Sequence, residues 1–287
     1  MRSGVATRFL QVGACPVLVR AWQPARDRVI LRAEAVEPRL VSLPGAAEVT
    51  PEPARREQLE LGVERMRFAL GVDLDLGAFQ RRFRRDGLLG PLIRRMPDYR
   101  PGRTLWPWEA LVSAIVGQLI EADRAARIER RIVGRWGARI GVGRAALRDV
   151  PAAAMIAGRA PAELQSMDLS AARAVALCRL ARHVAAGRCA LESEGADQRL
   201  LATPEIGPWT VQRLALYGRG DLDSLPAGDL AYIKLVGRLA SLGRRATISE
   251  VEEFYAPYEP YRGLAGCLTL VGLHHRIAQG PPLRYAA

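Results

Sequence analysis

The 287-residue sequence contains a single lysine, Lys234, and no asparagine. Lys and Arg together number 42 against 30 Asp and Glu, so arginine carries nearly all of the positive charge, and the net charge is +12. This charge and a pI near 10.5 predict a polyanionic partner, and nucleic acid is favoured over a role in solubility alone. The arginines cluster at Arg81–Arg85 and again over residues 124–135, which supports that interpretation.

Cysteine and histidine are scarce, and neither shows the spacing of a metal site. The residues are Cys15, Cys178, Cys189, Cys267, His183, His274 and His275. No two cysteines form a CxxC pair, which disfavours zinc and iron–sulfur sites and favours buried free thiols. His183 is isolated, and the adjacent pair would point in different directions on a helix. We therefore expect no metal site.

Long hydrophobic runs are also missing. Arg, Gly or Pro interrupts every apolar stretch well before membrane-spanning length, and the apolar stretch at the N-terminus is short for a signal peptide. We therefore expect no membrane association and a cytoplasmic location. With 49% hydrophobic residues the chain can bury sizeable cores, and its length predicts about two domains.

The hydrophobic pattern changes along the chain from strand to helix. Residues 1 to about 45 are rich in β-branched residues and contain turn signals, which predicts strands. Beyond the proline-rich segment near residue 50, apolar residues recur at helical spacing, and the clearest amphipathic helix begins at Pro107. The expected organisation is a mixed domain over residues 1–90 and an all-helical region over 91–287.

The segment PEIGPW, Pro204 to Trp209, predicts a tight turn between two helices at about 197–218. Pro208 suits the first turn of the second helix. Such a turn presents backbone N–H groups that can bind a phosphate, although an ordinary helix–helix corner fits the spacing equally.

Two segments carry a family resemblance. TPEIGPWTVQRLALYGRGDLDSLPAGDL and WPWEALVSAIVGQLIEADRAARI resemble the helix-hairpin-helix DNA glycosylases, and most closely their 3-methyladenine DNA glycosylase II branch. The resemblance spans about residues 60 to 270. It implies an α+β fold in which a small strand-containing N-terminal domain precedes a mainly α-helical helix-hairpin-helix glycosylase body.

Several residues match functional positions of that family. Asp229 matches the catalytic aspartate, and Gln118 and Leu119 match the segment that fills the gap left by an extruded nucleotide. The hairpin that grips the DNA backbone corresponds to Ile206, Gly207, Pro208, Trp209 and Thr210. From the residues alone, Asp229 also fits a helix N-cap, Leu119 a core residue and Gln118 a surface residue.

The base pocket departs from the family pattern. We assign Trp209, Arg213 and Tyr232 to it, but aromatic residues are few, and the final helix lacks a tryptophan or tyrosine. Glu205 stands where the family usually has glycine, and Trp209 stands where bifunctional members carry their Schiff-base lysine.

The resemblance implies a monofunctional glycosylase of base-excision repair. It would flip alkylated purines of the 3-methyladenine type out of damaged double-stranded DNA and excise them, as a monomer and without a cofactor. A non-catalytic helix-hairpin-helix protein that senses damage is the alternative, favoured by Glu205 and the sparse aromatics and disfavoured by Asp229. A glycosylase with lyase activity is a second alternative.

Overall fold

The computed structural model describes residues 4–13, 15–37, 41–42, 52–142 and 145–274. The strands in these ranges are β1 Val5–Val12, β2 Cys15–Ala25, β3 Arg28–Ala35, β4 Val41–Ser42, β5 Arg139–Val142 and β6 Ala145–Arg148. The α-helices are α1 Glu52–Leu70, α2 Gly77–Phe83, α3 Leu89–Arg95, α4 Pro107–Gly117, α5 Ala122–Trp136, α6 Ala153–Ala157, α7 Pro161–Gln165, α8 Ala171–Ala185, α9 Ala196–Leu201, α10 Pro208–Arg213, α11 Leu230–Leu239, α12 Ile248–Tyr255 and α13 Arg262–His274. A π-helical turn, Leu214–Arg219, continues α10, and a 3₁₀ turn, Ala256–Tyr258, follows α12.

The predicted α+β class is confirmed. A three-stranded antiparallel sheet, β1-β2-β3, opens the chain, and α1 to α13 account for most of the ordered elements beyond it. The short sheet β4-β5-β6 differs from expectation, because β5 and β6 interrupt a region that the periodicity assigns to helices.

The chain forms two compact units, each built from two segments. Unit 1 comprises Met1–Val72 and Thr104–Ile206, and unit 2 comprises Asp73–Arg103 and Gly207–Ala287. The predicted domains, 1–90 and 91–287, divide the chain at a single point instead. That domain assignment stays a prediction.

The core of unit 1 explains why β2 is buried on both faces. Val17 and Val19 point to a cluster that includes Met66 of α1, whereas Leu18 points to a second cluster with Ile140 of β5. Successive strand side chains alternate between faces, so each face of β2 has its own apolar cover. In α1, Gly62 permits close packing, since a Cβ there would lie 3.1 Å from Val17 Cγ1.

Unit 2 has an aromatic core. Phe79 and Phe83, one helical turn apart in α2, have ring centroids 5.3 Å apart. Phe83 meets Tyr258 edge-on at 5.4 Å, and Phe79 meets Tyr261 at 5.5 Å. Such tilted and edge-on pairs are the favoured aromatic geometry, and they hold α2 against the segment after α12 within this unit.

Two predicted helix limits need correction. The apolar stripe that begins in α4 continues through Ile120 and predicts a helix of that length, but the helix ends at Gly117. The sequence also predicts a capping box from Ser249 to Glu252, whereas the side chain of Thr247 caps α12 and Glu250 completes the box. The Thr247 hydroxyl accepts from the Glu250 N–H at 3.2 Å. The sequence offers two boxes of the same spacing, and the structure uses the earlier one.

The four cysteines are free and buried, as expected. Within the described ranges, no group of three or more His, Cys, Asp or Glu residues could hold a metal ion, and no helix is long and apolar enough to cross a membrane. His275, half of the adjacent histidine pair, lies outside those ranges.

A buried carboxylate lies in unit 1. The side chain of Asp149 accepts backbone N–H bonds from Gln11 at 2.7 Å and from Val150 at 2.8 Å, and the residue is 8% exposed. Burial raises the pKa of Asp149 to about 6, because desolvation of the charged form outweighs these two hydrogen bonds. Burial also raises the pKa of Glu109, which adds a like charge nearby.

We predict that Asp149 makes the protein less stable as pH rises through 6. The folded chain holds this proton more tightly than the unfolded chain, so the contribution is fully present below pH 4 and lost above pH 6. It amounts to at most about 3 kcal/mol, at roughly 1.4 kcal/mol per pKa unit. Urea unfolding from pH 4 to 7 should show a smaller pH dependence in Asp149→Asn than in the unmutated protein.

Asp168→Asn is the control with the opposite sign. Its hydrogen bond with Arg124 lowers the pKa of Asp168, so the stability from that pair is present at neutral pH and lost as the solution becomes acidic. Parallel stability curves for Asp149→Asn and the unmutated protein would contradict the prediction.

Candidate active site

Asp229 lies at the start of α11, in unit 2. Its backbone is extended, with φ −69° and ψ 130°, and its Oδ1 accepts the Ala231 N–H at 2.9 Å. Asp229 is therefore an N-cap, and its second oxygen takes no part in the cap. Its catalytic role stays a prediction. The side chain is 23% exposed, so the carboxylate is partly desolvated yet reachable from solvent.

The second oxygen of Asp229 has two partners from the preceding helix. Trp209 Nε1 donates to Oδ2 at 3.2 Å, and Arg213 Nη1 lies 3.4 Å from the same oxygen. The cap thus fixes the carboxylate in α11 while α10 supplies an indole and a guanidinium. Trp209 and Arg213, which the sequence analysis assigns to the base pocket, contact Asp229, and that pocket assignment stays a prediction.

Arg213 lies between two aromatic rings. Its guanidinium carbon is 5.1 Å from the Trp209 ring centroid and 5.0 Å from that of Tyr217. The three residues are spaced four apart, so they share one face of α10 and the π-helical turn after it. Both distances fall within the range of cation–π attraction. We call Trp209, Arg213 and Tyr217 the Arg213 stack.

The phenols of this region remain neutral. Burial, together with the nearby Cys267 thiol, raises the pKa of Tyr217 well above its ordinary range, and the same causes act on Tyr232. Tyr232 is 1% exposed, and its ring centroid lies 5.9 Å from that of Tyr255. In this structure Tyr232 is a core residue of unit 2, and its assignment to the base pocket stays a prediction.

The hairpin residues separate into two groups, because the boundary between the units falls within the turn. In unit 1, Ile206 is buried and its N–H donates to Thr203 O at 3.1 Å. In unit 2, Gly207 is the extended N-cap of α10 and Pro208 is its first residue, as predicted. Thr210 is buried, and its N–H donates to Gly207 O at 3.0 Å.

Leu119 has two unusual properties, both in unit 1. Its φ is +55°, in the left-handed region that a leucine rarely adopts, and its side chain is fully exposed. The expectation of a core residue is therefore wrong, because α4 ends two residues earlier. A strained backbone that presents a large apolar side chain to solvent is typical of a functional position.

The turn that carries Leu119 is fixed by two side chains of unit 1. Arg173 Nη1 donates to Val116 O at 2.8 Å and to Gln118 O at 3.0 Å, which satisfies carbonyls at the end of α4. Gln118 Nε2 donates to Glu205 O at 2.8 Å. Gln118 is thus a structural link between two turns, in addition to any contact with a ligand.

Glu205 stands where the family usually has glycine, and its backbone shows why glycine is usual there. Its φ is +72°, so this position keeps the backbone conformation for which glycine is the usual choice. The side chain is exposed, and its negative charge acts on Arg173. The turn therefore has the conformation that suits glycine, and the glutamate at this position is under backbone strain.

The arginine clusters are exposed but partly engaged. In α5 the apolar residues Ile128, Ile132 and Trp136 are buried, which leaves the arginines on the solvent face. Arg124 forms two hydrogen bonds with Asp168, at 2.7 and 3.0 Å. In unit 2, Arg82 Nη1 donates to Glu259 O at 2.7 Å.

Sequence reasoning missed two residues of these sites. Tyr217 could have been found from its spacing of four from Arg213 and eight from Trp209. Arg173 gives no such signal, because it lies 55 residues from the carbonyl of Gln118 that it holds.

The sequence of this chain is similar to two curated proteins with roles in DNA repair. No protein-family model matches the chain. It is 28% identical over 223 residues to a probable bifunctional transcriptional activator/DNA repair enzyme AlkA of Mycobacterium tuberculosis, covering 76% of this chain and 44% of that protein. It is 23% identical over 200 residues to a DNA-3-methyladenine glycosylase of Bacillus subtilis, covering 68% and 66%. The chain thus spans less than half the length of the first relative.

Among solved structures, the chain is similar to the 3-methyladenine DNA glycosylase of Archaeoglobus fulgidus. The TM-score is 0.77 at 20% identity, covering 97% of this chain and 89% of the other. The chain therefore has the fold of the helix-hairpin-helix DNA glycosylases, and the predicted resemblance to their 3-methyladenine branch is confirmed.

We predict that replacing Glu205 by glycine stabilises the protein relative to replacing it by alanine. Both variants remove the charge, but only glycine removes the strain at φ +72°, which should be worth about 1 kcal/mol. Urea unfolding of Glu205→Gly and Glu205→Ala is the measurement. The control is Glu60, exposed within α1, where the order should reverse because glycine is a poor helix former. An alanine variant at 205 as stable as the glycine variant would contradict the prediction.

Proposed function

We propose that this chain, with its helix-hairpin-helix glycosylase fold, is a monofunctional DNA glycosylase that removes alkylated purines of the 3-methyladenine type during base-excision repair. The observation that carries the proposal is the carboxylate of Asp229, capped into α11 and beside the indole of Trp209. The names of the relatives, a DNA repair enzyme and a DNA-3-methyladenine glycosylase, support the same reaction.

Asp229 would act on the sugar. The C1′–N bond breaks with its electron pair going to the base, positive charge develops at C1′, and water then adds there and releases a proton. A fixed carboxylate stabilises that charge as it forms. The backbone cap from Ala231 and the indole N–H of Trp209 hold the carboxylate in place, so little reorganisation is needed. An N-alkylated purine leaves readily, and no general acid is required.

Leu119 would fill the space vacated by the extruded nucleotide. Its exposed side chain and strained backbone suit a wedge that enters a base stack, as apolar side chains do in proteins that kink DNA. Gln118 beside it, and the hairpin Ile206 to Thr210, are proposed to contact the DNA backbone. Their support is the match to the family motif.

The partner would be double-stranded DNA that contains damaged bases. The net charge of +12 and the exposed arginines of α5 favour a polyanion of this kind. We propose that the protein acts as a monomer, without a cofactor, in the cytoplasm.

Asp229→Asn is the decisive test of the proposal. Asparagine can keep the hydrogen bond to Ala231 N while it removes the negative charge. Single-turnover excision from duplexes carrying 3-methyladenine or another damaged purine should slow by on the order of a hundredfold or more. DNA affinity should hold or tighten slightly, since the charge is needed mainly in the transition state.

Asp221→Asn is the matched control, an exposed carboxylate of the same unit whose loss should not slow excision. Equal excision by the Asp229 variant and the unmutated protein would remove Asp229 from the mechanism. DNA binding by the unmutated protein without excision of any damaged base would favour the damage-sensing alternative.

We also predict no strand cleavage. A lyase reaction needs a lysine amine that forms a Schiff base with the sugar. Lys234 is exposed on α11, five residues after Asp229, and therefore lies on a different face of the helix. Borohydride treatment with abasic-site DNA should yield no covalent adduct. An adduct that forms in the unmutated protein and disappears in Lys234→Ala would establish the lyase alternative.

A further inference from the structure

The Arg213 stack raises a question about which damaged bases this site accepts. A cationic alkylated purine is attracted to aromatic faces and to a carboxylate. Here the guanidinium of Arg213 lies about 5 Å from two ring centroids and 3.4 Å from Asp229 Oδ2. The protein's own cation thus already occupies the surroundings that a cationic base would need.

Several contacts hold the guanidinium of Arg213 in one position. Two rings and one carboxylate hold the guanidinium, and its side chain is only 27% exposed. Moving it aside for another cation would cost all three contacts, and leaving it in place would bring two positive charges together. Either way, a cationic base is disfavoured relative to a neutral base.

Because the Arg213 side chain is still partly exposed, its guanidinium can also donate hydrogen bonds to a bound base. A guanidinium carries five N–H donors in a planar fork, and the contact with Asp229 uses Nη1. The acceptor pair that such a fork recognises on a purine is O6 and N7. Adenine presents an amino donor in place of O6 and lacks this pair. Hypoxanthine, the deamination product of adenine, has both acceptors and is neutral.

We infer that Arg213 is the specificity-determining residue of this site and favours neutral 6-oxopurine lesions, such as hypoxanthine, over cationic alkylated purines. This inference rests on the proposed glycosylase function and shifts the expected substrate preference from cationic alkylated purines towards deaminated ones. A neutral purine leaves as an anion when the C1′–N9 bond breaks, until it takes a proton from water. The guanidinium stabilises that anion, while Asp229 stabilises the sugar cation. Opposite thymine, hypoxanthine is also mispaired, which lowers the cost of flipping.

The test compares two duplexes, one with hypoxanthine opposite thymine and one with 7-methylguanine, a cation, opposite cytosine. In Arg213→Met the single-turnover rate on hypoxanthine should fall and the rate on 7-methylguanine should rise, so that their ratio changes at least about tenfold. Arg213→Lys keeps a charge but loses the fork, so hypoxanthine excision should fall without a gain on 7-methylguanine. Arg238→Met, an exposed arginine of α11, should leave the ratio unchanged.

Thermal melts of every variant separate loss of fold from loss of recognition. An unchanged ratio in folded Arg213→Met, or an equal fall on both duplexes, would overturn the inference while the proposed function stood. If the unmutated protein excises neither base, the proposed function fails, and titrations with the same two duplexes still decide the inference. Arg213→Met should then shift the ratio of the two affinities in the same direction, and an unchanged ratio of affinities would overturn it.

Discussion

The carboxylate of Asp229 joins two helices of unit 2. One oxygen caps α11, and the other receives the indole N–H of Trp209 and the guanidinium of Arg213 from α10. Because an N-cap has a fixed geometry, the second oxygen has little freedom, and the side chains of α10 arrange themselves around it. The Arg213 stack then results from the spacing of its three residues. One carboxylate therefore joins the cap of α11 to the indole and the guanidinium of α10 in the candidate active site.

In unit 1 the corresponding constraint is backbone strain. Leu119 and Glu205 both adopt positive φ, at a cost of order 1–3 kcal/mol each. The hydrogen bond from Gln118 to Glu205 O ties the two turns together, and Arg173 holds the end of α4. These contacts stabilise the positive φ angles of Leu119 and Glu205, which non-glycine residues rarely adopt on their own. Strain maintained in this way supports a functional role for the exposed Leu119.

Much of the fold was readable from the sequence because local patterns and tertiary packing agree. The strands near the N-terminus, the helix that begins at Pro107 and the place of Pro208 at the start of α10 all appear as predicted. Failures occurred where two local solutions were equivalent. Two capping boxes of the same spacing compete before α12, and the apolar stripe of α4 continues past the residue at which the helix ends.

The sequence by itself determined the fold class, the basic charge and the identity of Asp229 as the residue to examine, because motif, composition and periodicity are properties of neighbouring residues. Only the tertiary structure decided what surrounds them. Leu119 is exposed because α4 ends before it, and Tyr232 is buried because it packs against Tyr255. Arg213 became the central cation of the site because a ring on either side and a carboxylate sixteen residues away converge on it. The two rings follow from spacing along one helix, but the carboxylate belongs to α11, and its approach to Arg213 depends on how the two helices pack.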